Sequence, residues 1–128
     1  MNSKSVEILV IEDQALNRKV VRIVLESEGY RVVESVNASE ALSYLETSIP
    51  SLILMDIALP GKSGEELTRL IKSKSNLCRI PIIALTAAAM SGDRERLLQA
   101  GCDDYLSKPI NTHILVERVK YHLEKKTT

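Results

Sequence analysis

Three acidic residues stand at the ends of two apolar segments, and they are the first candidates for chemistry. Glu12 and Asp13 follow the apolar segment 6–11, and Asp56 is the last residue of an apolar run over 52–56. Packing does not explain such an acid, because Asp is seldom fully buried without a partner. Three carboxylates that met in one crevice would repel one another, and Mg²⁺, which takes oxygen ligands, would relieve that repulsion.

A hydroxyl and an ammonium group stand at the ends of two later apolar segments. Thr86 ends a strand predicted over 80–85, and Lys108 follows a short strand predicted over 104–106. Lys108 and the three acids together carry a charge of about −2, which one Mg²⁺ would neutralise. An incoming phosphoryl group would meet a metal, an ammonium and a hydroxyl, as phosphoryl transfer requires. Asp56 can serve as the nucleophile and form an acyl phosphate.

The elements that must position these residues alternate along the chain. Five short apolar segments alternate with five stretches of helical periodicity; the first helix is predicted from Leu16, Val20, Ile23 and Val24. Short links between strands and helices predict an α/β fold, a doubly wound parallel sheet with helices on both faces. The carboxyl ends of such strands meet at one crevice, so the five candidate residues should converge there.

Local signals mark where several helices begin. Asn37 with Glu40 and Ser63 with Glu66 have the spacing of capping boxes, and Asn111 is placed to cap the last helix. These signals support the strand and helix alternation independently of hydrophobic periodicity.

Composition restricts the class of protein. The chain has 128 residues, 45% of them hydrophobic and 27% charged, which suits one domain over 1–128 with a core over about 6–124 and polar tails. Seventeen basic residues balance seventeen acidic ones, so charge gives no reason to expect binding to nucleic acid. We expect no membrane insertion and no signal peptide. Two cysteines without metal-ligand spacing indicate a reducing, cytoplasmic location.

The motifs, in order and spacing, resemble those of the response-regulator receiver domains of two-component signalling, and the match covers nearly the whole chain. The matching motifs are Glu12-Asp13, Met55-Asp56, Leu59-Pro60-Gly61, Thr86-Ala87 and Lys108-Pro109. The resemblance, closest to single-domain regulators of the chemotaxis type, implies a flavodoxin-like (βα)5 fold with strand order 2-1-3-4-5. It also implies that the Lys108-Pro109 peptide bond is often cis.

The resemblance further implies a chemical role for each site residue. Asp56 would take a phosphoryl group from a histidine kinase or a histidine phosphotransfer protein. Asp13, Asp56 and the backbone carbonyl of Ala58, with Glu12 acting through water, would hold Mg²⁺, for which Mn²⁺ can substitute. Thr86 and Lys108 would hold the phosphoryl oxygens. The domain would assist its own phosphorylation and dephosphorylation without being a multi-turnover enzyme.

Signal output is implied by the same resemblance. Thr86 and Tyr105 would act as the switch pair and change the surface formed by the fourth helix, the fifth strand and the last helix. A downstream protein, and no nucleic acid directly, would bind there. Two positions bear on the detail: Glu12 stands where the family more often has Asp, and Ala58 gives the phosphoryl group neither a water-orienting side chain nor a shield.

Other readings remain open from the residues. The chain could be a receiver cut from a hybrid histidine kinase or a larger regulator, although Met1 and the polar tail suit a complete chain. A phosphohydrolase of the haloacid dehalogenase type usually has a second Asp two residues after its nucleophile, where Ala58 stands. A flavodoxin-like electron carrier is disfavoured because Glu12 and Asp13 would repel the flavin phosphate. Taken singly, Asp56 is an ordinary turn cap and Tyr105 an ordinary core residue.

Overall fold

The computed structural model describes residues 6–87 and 91–127, and strands alternate with helices throughout. The elements in chain order are β1 (Glu7–Ile11), α1 (Ala15–Ser27), β2 (Arg31–Ser35), α2 (Ala38–Leu45), β3 (Leu52–Asp56), α3 (Gly64–Lys72), β4 (Ile82–Thr86), α4 (Ser91–Ala100), β5 (Asp104–Ser107) and α5 (Thr112–Thr127). All neighbouring strands are parallel, in the order β2-β1-β3-β4-β5, which confirms the predicted flavodoxin-like fold. The outer parts of the predicted polar tails lie outside the described residues.

The sheet separates two apolar cores, one on each face. Alternate side chains of β1 and β3 point to opposite faces, as the pleat requires. Leu9 and Ile53 pack with side chains from α2, α3 and α4, whereas Ile8 and Leu52 pack with side chains from α1 and α5. Every residue of β3 and β4 is buried, as expected for central strands covered on both faces. Asp56 is therefore the end of a rigid, fully covered strand.

The segment after β3 is fixed by the start of α3. Ser63 and Glu66 form the predicted capping box, in which each side chain accepts a hydrogen bond from the other's backbone N–H at 3.1 Å. Gly64 lies so close to the end of β3 that a Cβ atom there would approach the Asp56 carbonyl oxygen to 2.7 Å. A side chain at position 64 would therefore displace the backbone that carries Asp56.

The other two predicted caps behave differently from each other. Asn111 accepts hydrogen bonds from the N–H groups of His113 and Ile114, as expected of a cap. Asn37 accepts from the Glu40 N–H at 2.8 Å, but the Glu40 side chain accepts from Val36. The second half of that capping box therefore forms one residue earlier than its sequence pattern indicates.

Helix α1 forms as predicted, but of the four residues in its apolar pattern only Val24 packs, half-buried, against the core. Val21 and Leu25 are the fully buried residues of this helix, while Leu16, Val20 and Ile23 are 72%, 40% and 56% exposed. The sequence places apolar residues on two faces of α1, and only contact with the sheet decides which face is covered. The uncovered face leaves an exposed apolar strip, Leu16, Val20 and Ile23, along the helix.

Two further features complete the frame of the site. The Lys108–Pro109 peptide bond is cis, as the resemblance implies. Across residues 6–87 and 91–127, the helices fall short of the length and apolar character that crossing a membrane requires.

Candidate functional site

The three acids predicted to share a crevice meet at the carboxyl edge of the sheet. One carboxylate oxygen from each of Glu12, Asp13 and Asp56 lies within 4.8 Å of the other two. The strand register explains this proximity. Ile11 of β1 pairs with Met55 of β3, so the residues that follow them, Glu12 and Asp56, lie side by side. Glu12 and Asp56 are buried, at 1% and 3% exposure, whereas Asp13 is open to solvent.

Lys108 reaches both buried acids. Its Nζ atom lies 3.1 Å from Oδ2 of Asp56 and 3.3 Å from Oε1 of Glu12. Burial by itself would lower the pKa of Lys108, but its close contacts with the carboxylates of Asp56 and Glu12 outweigh burial and raise that pKa. The ammonium group therefore stays charged and is fixed beside Asp56.

Glu12 keeps one oxygen that no hydrogen bond satisfies. Its Oε2 atom accepts from the Gln14 N–H at 3.1 Å, whereas Oε1 is buried without a hydrogen-bond donor in the described part of the chain. The 3.3 Å contact of Oε1 with Lys108 Nζ is thus an ion pair without hydrogen-bonding geometry. Burial raises the pKa of Glu12, opposed by the Gln14 N–H and reinforced by the nearby charge of Asp56. A cation placed there would stabilise the ionised form.

The backbone after β3 holds the Asp56 carboxylate in place. The Ala58 N–H donates to Oδ1 of Asp56 at 3.1 Å, and the Ile57 N–H donates to the Leu85 carbonyl at 3.0 Å. The first contact is the ordinary turn-capping role of an Asp. Asp56 therefore caps its turn and faces the crevice at once, with its two oxygens held by different partners.

Thr86 comes to the same edge through the backbone. Asp56 pairs with Leu85 across β3 and β4, so Thr86 lies one residue beyond, and it is 7% exposed. The Lys108 N–H donates to the Thr86 carbonyl at 2.8 Å. The hydroxyl-bearing and ammonium-bearing residues are therefore tied to each other directly.

Tyr105 lies on the adjoining strand and is half buried. It pairs with Ala84 of β4 and packs against the core beneath α2, α3 and α4. The Arg94 guanidinium of α4 lies 6.0 Å from the centre of its ring, at the outer limit of a cation–π contact. The ring therefore joins the sheet to α4 on the side of the molecule where the switch surface was predicted.

One residue in contact with the site was not predicted. Arg18 of α1 donates from Nη1 to the Glu12 carbonyl oxygen at 2.9 Å and from Nε to Oε1 of Glu34 at 3.2 Å. Its position six residues after Glu12, in the first turn of the helix that follows the acids, was the available signal. Its partner Glu34 comes from β2, which sequence spacing alone does not connect to Arg18.

The donor set suits a hard divalent cation. All side-chain ligands on offer are carboxylate oxygens, and Oε1 of Glu12 is buried without a hydrogen bond although Lys108 Nζ lies 3.3 Å from it. Mg²⁺ prefers oxygen ligands and keeps several waters, so two carboxylates and a carbonyl suffice. The observed residues therefore fit magnesium on the chemistry of their donor atoms.

Comparison with known proteins agrees with this arrangement. The family model described as the response regulator receiver domain matches residues 8–120. The polar-differentiation response regulator DivK of Brucella anthropi is 44% identical over 116 residues, which cover 91% of this chain and 94% of that protein.

Two solved structures extend the comparison. The receiver domain of sensor histidine kinase PA1611 from Pseudomonas aeruginosa, described with a magnesium ion coordinated in its active-site cleft, is 42% identical, with a TM-score of 0.85 and coverage of 92% and 97%. A two-component response regulator from Clostridium difficile has a TM-score of 0.90 at 28% identity and covers 97% of this chain and 100% of its own. The fold, the motifs and these matches together show that the chain belongs to the response regulator receiver family.

Proposed function

We propose that this receiver domain takes a phosphoryl group from a phosphohistidine donor onto Asp56, with bound Mg²⁺, and thereby switches its protein contacts. The observation that supports this most is the contact of Lys108 Nζ with Oδ2 of Asp56 beside the unsatisfied Oε1 of Glu12. A lysine ammonium and a divalent ion beside one carboxylate would supply the positive charge that an aspartyl phosphate needs.

The reaction follows from the atoms available. An Asp56 carboxylate oxygen attacks the phosphorus of the donor, the N–P bond of the phosphohistidine breaks, and the imidazole leaves with the bonding electrons. Asp56, Asp13 and the Ala58 carbonyl would hold Mg²⁺, with Glu12 acting through water, and the ion would neutralise charge on the phosphoryl oxygens. Mn²⁺ would substitute for it. Lys108 supplies a fixed positive charge to the same oxygens, which lowers the cost of bringing a dianionic group to an acidic crevice.

Conversion of phosphorylation into a signal would begin at Thr86. The phosphoryl group on Asp56 carries a charge of about −1.5 to −2 where the carboxylate carried −1, and its three oxygens attract hydroxyl donors. Thr86 would move toward the phosphoryl group, and Tyr105 would take up the space beside it. Because Tyr105 also meets Arg94 of α4, such a change would alter the face formed by α4, β5 and α5. We place the binding of a downstream protein on that face.

Donor binding would use the other side of the site. A groove lined by Val20, Lys108 and Ile110 joins the exposed apolar strip of α1 to the residue that contacts Asp56. A histidine kinase or histidine phosphotransfer protein that covered this strip would bring its histidine to the crevice. Ile23→Glu should then slow transfer from a protein donor while leaving phosphorylation by acetyl phosphate unchanged. Equal slowing with both donors would contradict this docking face.

Cysteine chemistry suits a cytoplasmic place of action. Cys78 and Cys102 are both free thiols. Burial raises the pKa of the Cys102 thiol, which keeps it protonated and unreactive. Two free thiols are what a reducing compartment such as the cytoplasm maintains, and a histidine kinase would deliver the phosphoryl group there.

Intact mass after incubation with acetyl phosphate tests the proposed function. We expect one phosphate adduct with Mg²⁺ or Mn²⁺, none with a chelator, and none on Asp56→Asn. Steady multi-turnover release of phosphate from ordinary monoesters would instead indicate a phosphohydrolase. An adduct that persists on Asp56→Asn would refute Asp56 as the acceptor.

A further inference from the structure

The link between β1 and α1 carries two of the three acids, and its backbone is held from two directions. The Glu12 N–H donates to the Ser35 carbonyl of β2 at 3.0 Å. The Glu12 carbonyl accepts from Nη1 of Arg18 at 2.9 Å. The residue is therefore attached to the sheet on one side and to α1 on the other.

The carbonyl contact controls more than Glu12. A peptide unit is planar, so the Glu12 carbonyl lies in one rigid plane with the N–H and Cα of Asp13. A donor that fixes this carbonyl also fixes the Asp13 Cα and the axis of its N–Cα bond, so the Asp13 side chain can change direction only by rotation about that bond. Asp13 is exposed and has no neighbouring strand to orient it, so this plane is a main determinant of where its carboxylate lies.

Arg18 is itself held in position. Its Nε atom donates to Oε1 of Glu34 at 3.2 Å, and the second oxygen of Glu34 lies 3.0 Å from Nε of Arg22. Arg18 is well covered, with a side chain 17% exposed, whereas Arg22 is 46% exposed. Glu34 thus orients the planar guanidinium group of Arg18 while that group donates to the Glu12 carbonyl. A lysine ammonium would hold the two contacts less rigidly, because it lacks a planar group with fixed donor directions.

The sign of the charge separates two possible roles of Arg18. A positive group acting on the site only through its field would repel Mg²⁺, so its removal would tighten metal binding. A positive group that orients the ligand-bearing backbone would do the opposite, and its removal would weaken binding. Glu34 neutralises Arg18 at close range, which reduces the first effect and leaves the second.

We infer that Arg18 is a positioning residue for the metal site, which it serves by fixing the Glu12–Asp13 peptide plane while Glu34 orients its guanidinium. This inference rests on the proposed Mg²⁺ binding. Arg18 has no part in the transfer chemistry itself, because the atom it contacts is a backbone oxygen.

Calorimetric titration of the unphosphorylated protein with Mg²⁺ tests the inference. We expect Arg18→Met to weaken Mg²⁺ binding about tenfold, the lower end of the range for residues that orient metal ligands. Arg22→Met is the matched control, because Arg22 contacts the same Glu34 without reaching Glu12, and it should bind Mg²⁺ like the wild type. Arg18→Lys, which keeps the charge, should fall between wild type and Arg18→Met.

A second readout distinguishes positioning from fold stability. Both arginine variants lose an ion pair with Glu34, and Arg18→Met also loses the hydrogen bond to the Glu12 carbonyl, so it should lose more free energy of unfolding in urea. Only Arg18→Met should shift the backbone amide resonance of Asp13 in the metal-free protein. If that variant folds poorly, Glu34→Gln releases the guanidinium while keeping Arg18, and it should weaken Mg²⁺ binding to a smaller extent.

The outcomes separate this inference from the proposed function. Unchanged or tighter Mg²⁺ binding by Arg18→Met, with wild-type protein binding normally, would overturn the role of Arg18 alone. Wild-type behaviour of Arg18→Lys together with tighter binding by Arg18→Met would assign its effect to charge. Failure of the wild type to bind Mg²⁺ would overturn both proposals.

Discussion

Two lysines with almost the same exposure stand at opposite ends of β4 and have opposite surroundings. The Lys72 side chain, at the end of α3, is 19% exposed, and the Lys108 side chain is 20% exposed. Lys72 donates to the carbonyls of Cys78 and Ile80 and to Oδ2 of Asp103, at 3.2, 2.8 and 3.0 Å. All three of its hydrogens therefore have acceptors.

Around Lys108 the acceptors exceed the donors. It faces two buried carboxylates, a third acid lies within 4.8 Å of them, and Glu12 retains an oxygen without a hydrogen bond. Burial and residue type do not separate a structural lysine from a functional one here. The difference lies in whether the local charges and hydrogen bonds balance, and only the Lys108 cluster is left needing a cation.

Replacing each lysine with methionine should change a different property, and these are the largest effects that we expect. Lys108→Met should slow phosphorylation of Asp56 by acetyl phosphate about a hundredfold, since a fixed electrostatic donor is lost. Lys72→Met should leave that rate unchanged but lower the free energy of unfolding by about 1–3 kcal/mol, because two carbonyls and Asp103 lose their donor. Adduct formation by mass and urea unfolding measure the two effects. Slower phosphorylation of Lys72→Met would contradict the assignment of a structural role to Lys72 and a functional role to Lys108.

Magnesium should act on one cluster only. At a concentration about 100 times its dissociation constant, Mg²⁺ should raise the free energy of unfolding by about 2.7 kcal/mol, as any ligand specific to the native state does. Asp13→Asn should abolish most of this gain, whereas Lys72→Met should retain it in full. Unfolding in urea with and without Mg²⁺ gives the comparison, and equal loss of the gain in both variants would contradict the assignment.

The smallest expected effect is a change in the pH dependence of stability. Burial raises the pKa of Glu12 above its ordinary 4.5, so between 4.5 and the raised value the folded protein holds more protons than the unfolded one. Stability of the metal-free protein therefore falls as pH rises through that window. Glu12→Gln should remove this fall and be more stable than wild type at neutral pH. Urea unfolding across that pH range tests this expectation. With Mg²⁺ present, the wild type should become more stable than Glu12→Gln.

A Glu12→Gln protein that was less stable than wild type at neutral pH without metal would contradict the account of an unfavourably buried charge. Ser35 offers a convenient site for a matched control. It is buried at the end of β2 but carries no charge, so Ser35→Ala should leave the slope with pH unchanged.

Much of the fold followed from local patterns, because strand and helix signals act over a few residues. The Ser63 and Glu66 capping box and the burial of 52–56 depend on near neighbours and the parallel sheet, and both were predicted. Convergence of the acids with Thr86 and Lys108 followed from topology, since parallel strands end at one edge.

The failures share a different cause, which is the rotation of helices against the sheet. Leu16, Val20 and Ile23 face solvent because Val21 and Leu25 meet the core, and periodicity alone allows both orientations. His122 of α5 is buried, with Nε2 2.9 Å from Oδ2 of Asp104 in β5, a contact that likewise depends on how the helix is rotated against the sheet.

Arg18 was missed for a related reason. Its contact with Glu34 joins α1 to β2 over sixteen residues of sequence, and it depends on strand register and on a long side chain. Neither can be read from local pattern. The residues that carry charge to the crevice were therefore predictable, whereas those that orient the backbone around it required the structure.

Mapping the phosphorylated residue tests the central claim most directly. Borohydride reduces an aspartyl phosphate to homoserine, which marks the acceptor permanently and can be located by peptide sequencing. After treatment with a phosphohistidine donor and Mg²⁺, we predict homoserine at position 56 alone. Marking of Asp13 in place of Asp56, or phosphate retained on His113 or His122 with position 56 unmodified, would contradict the account.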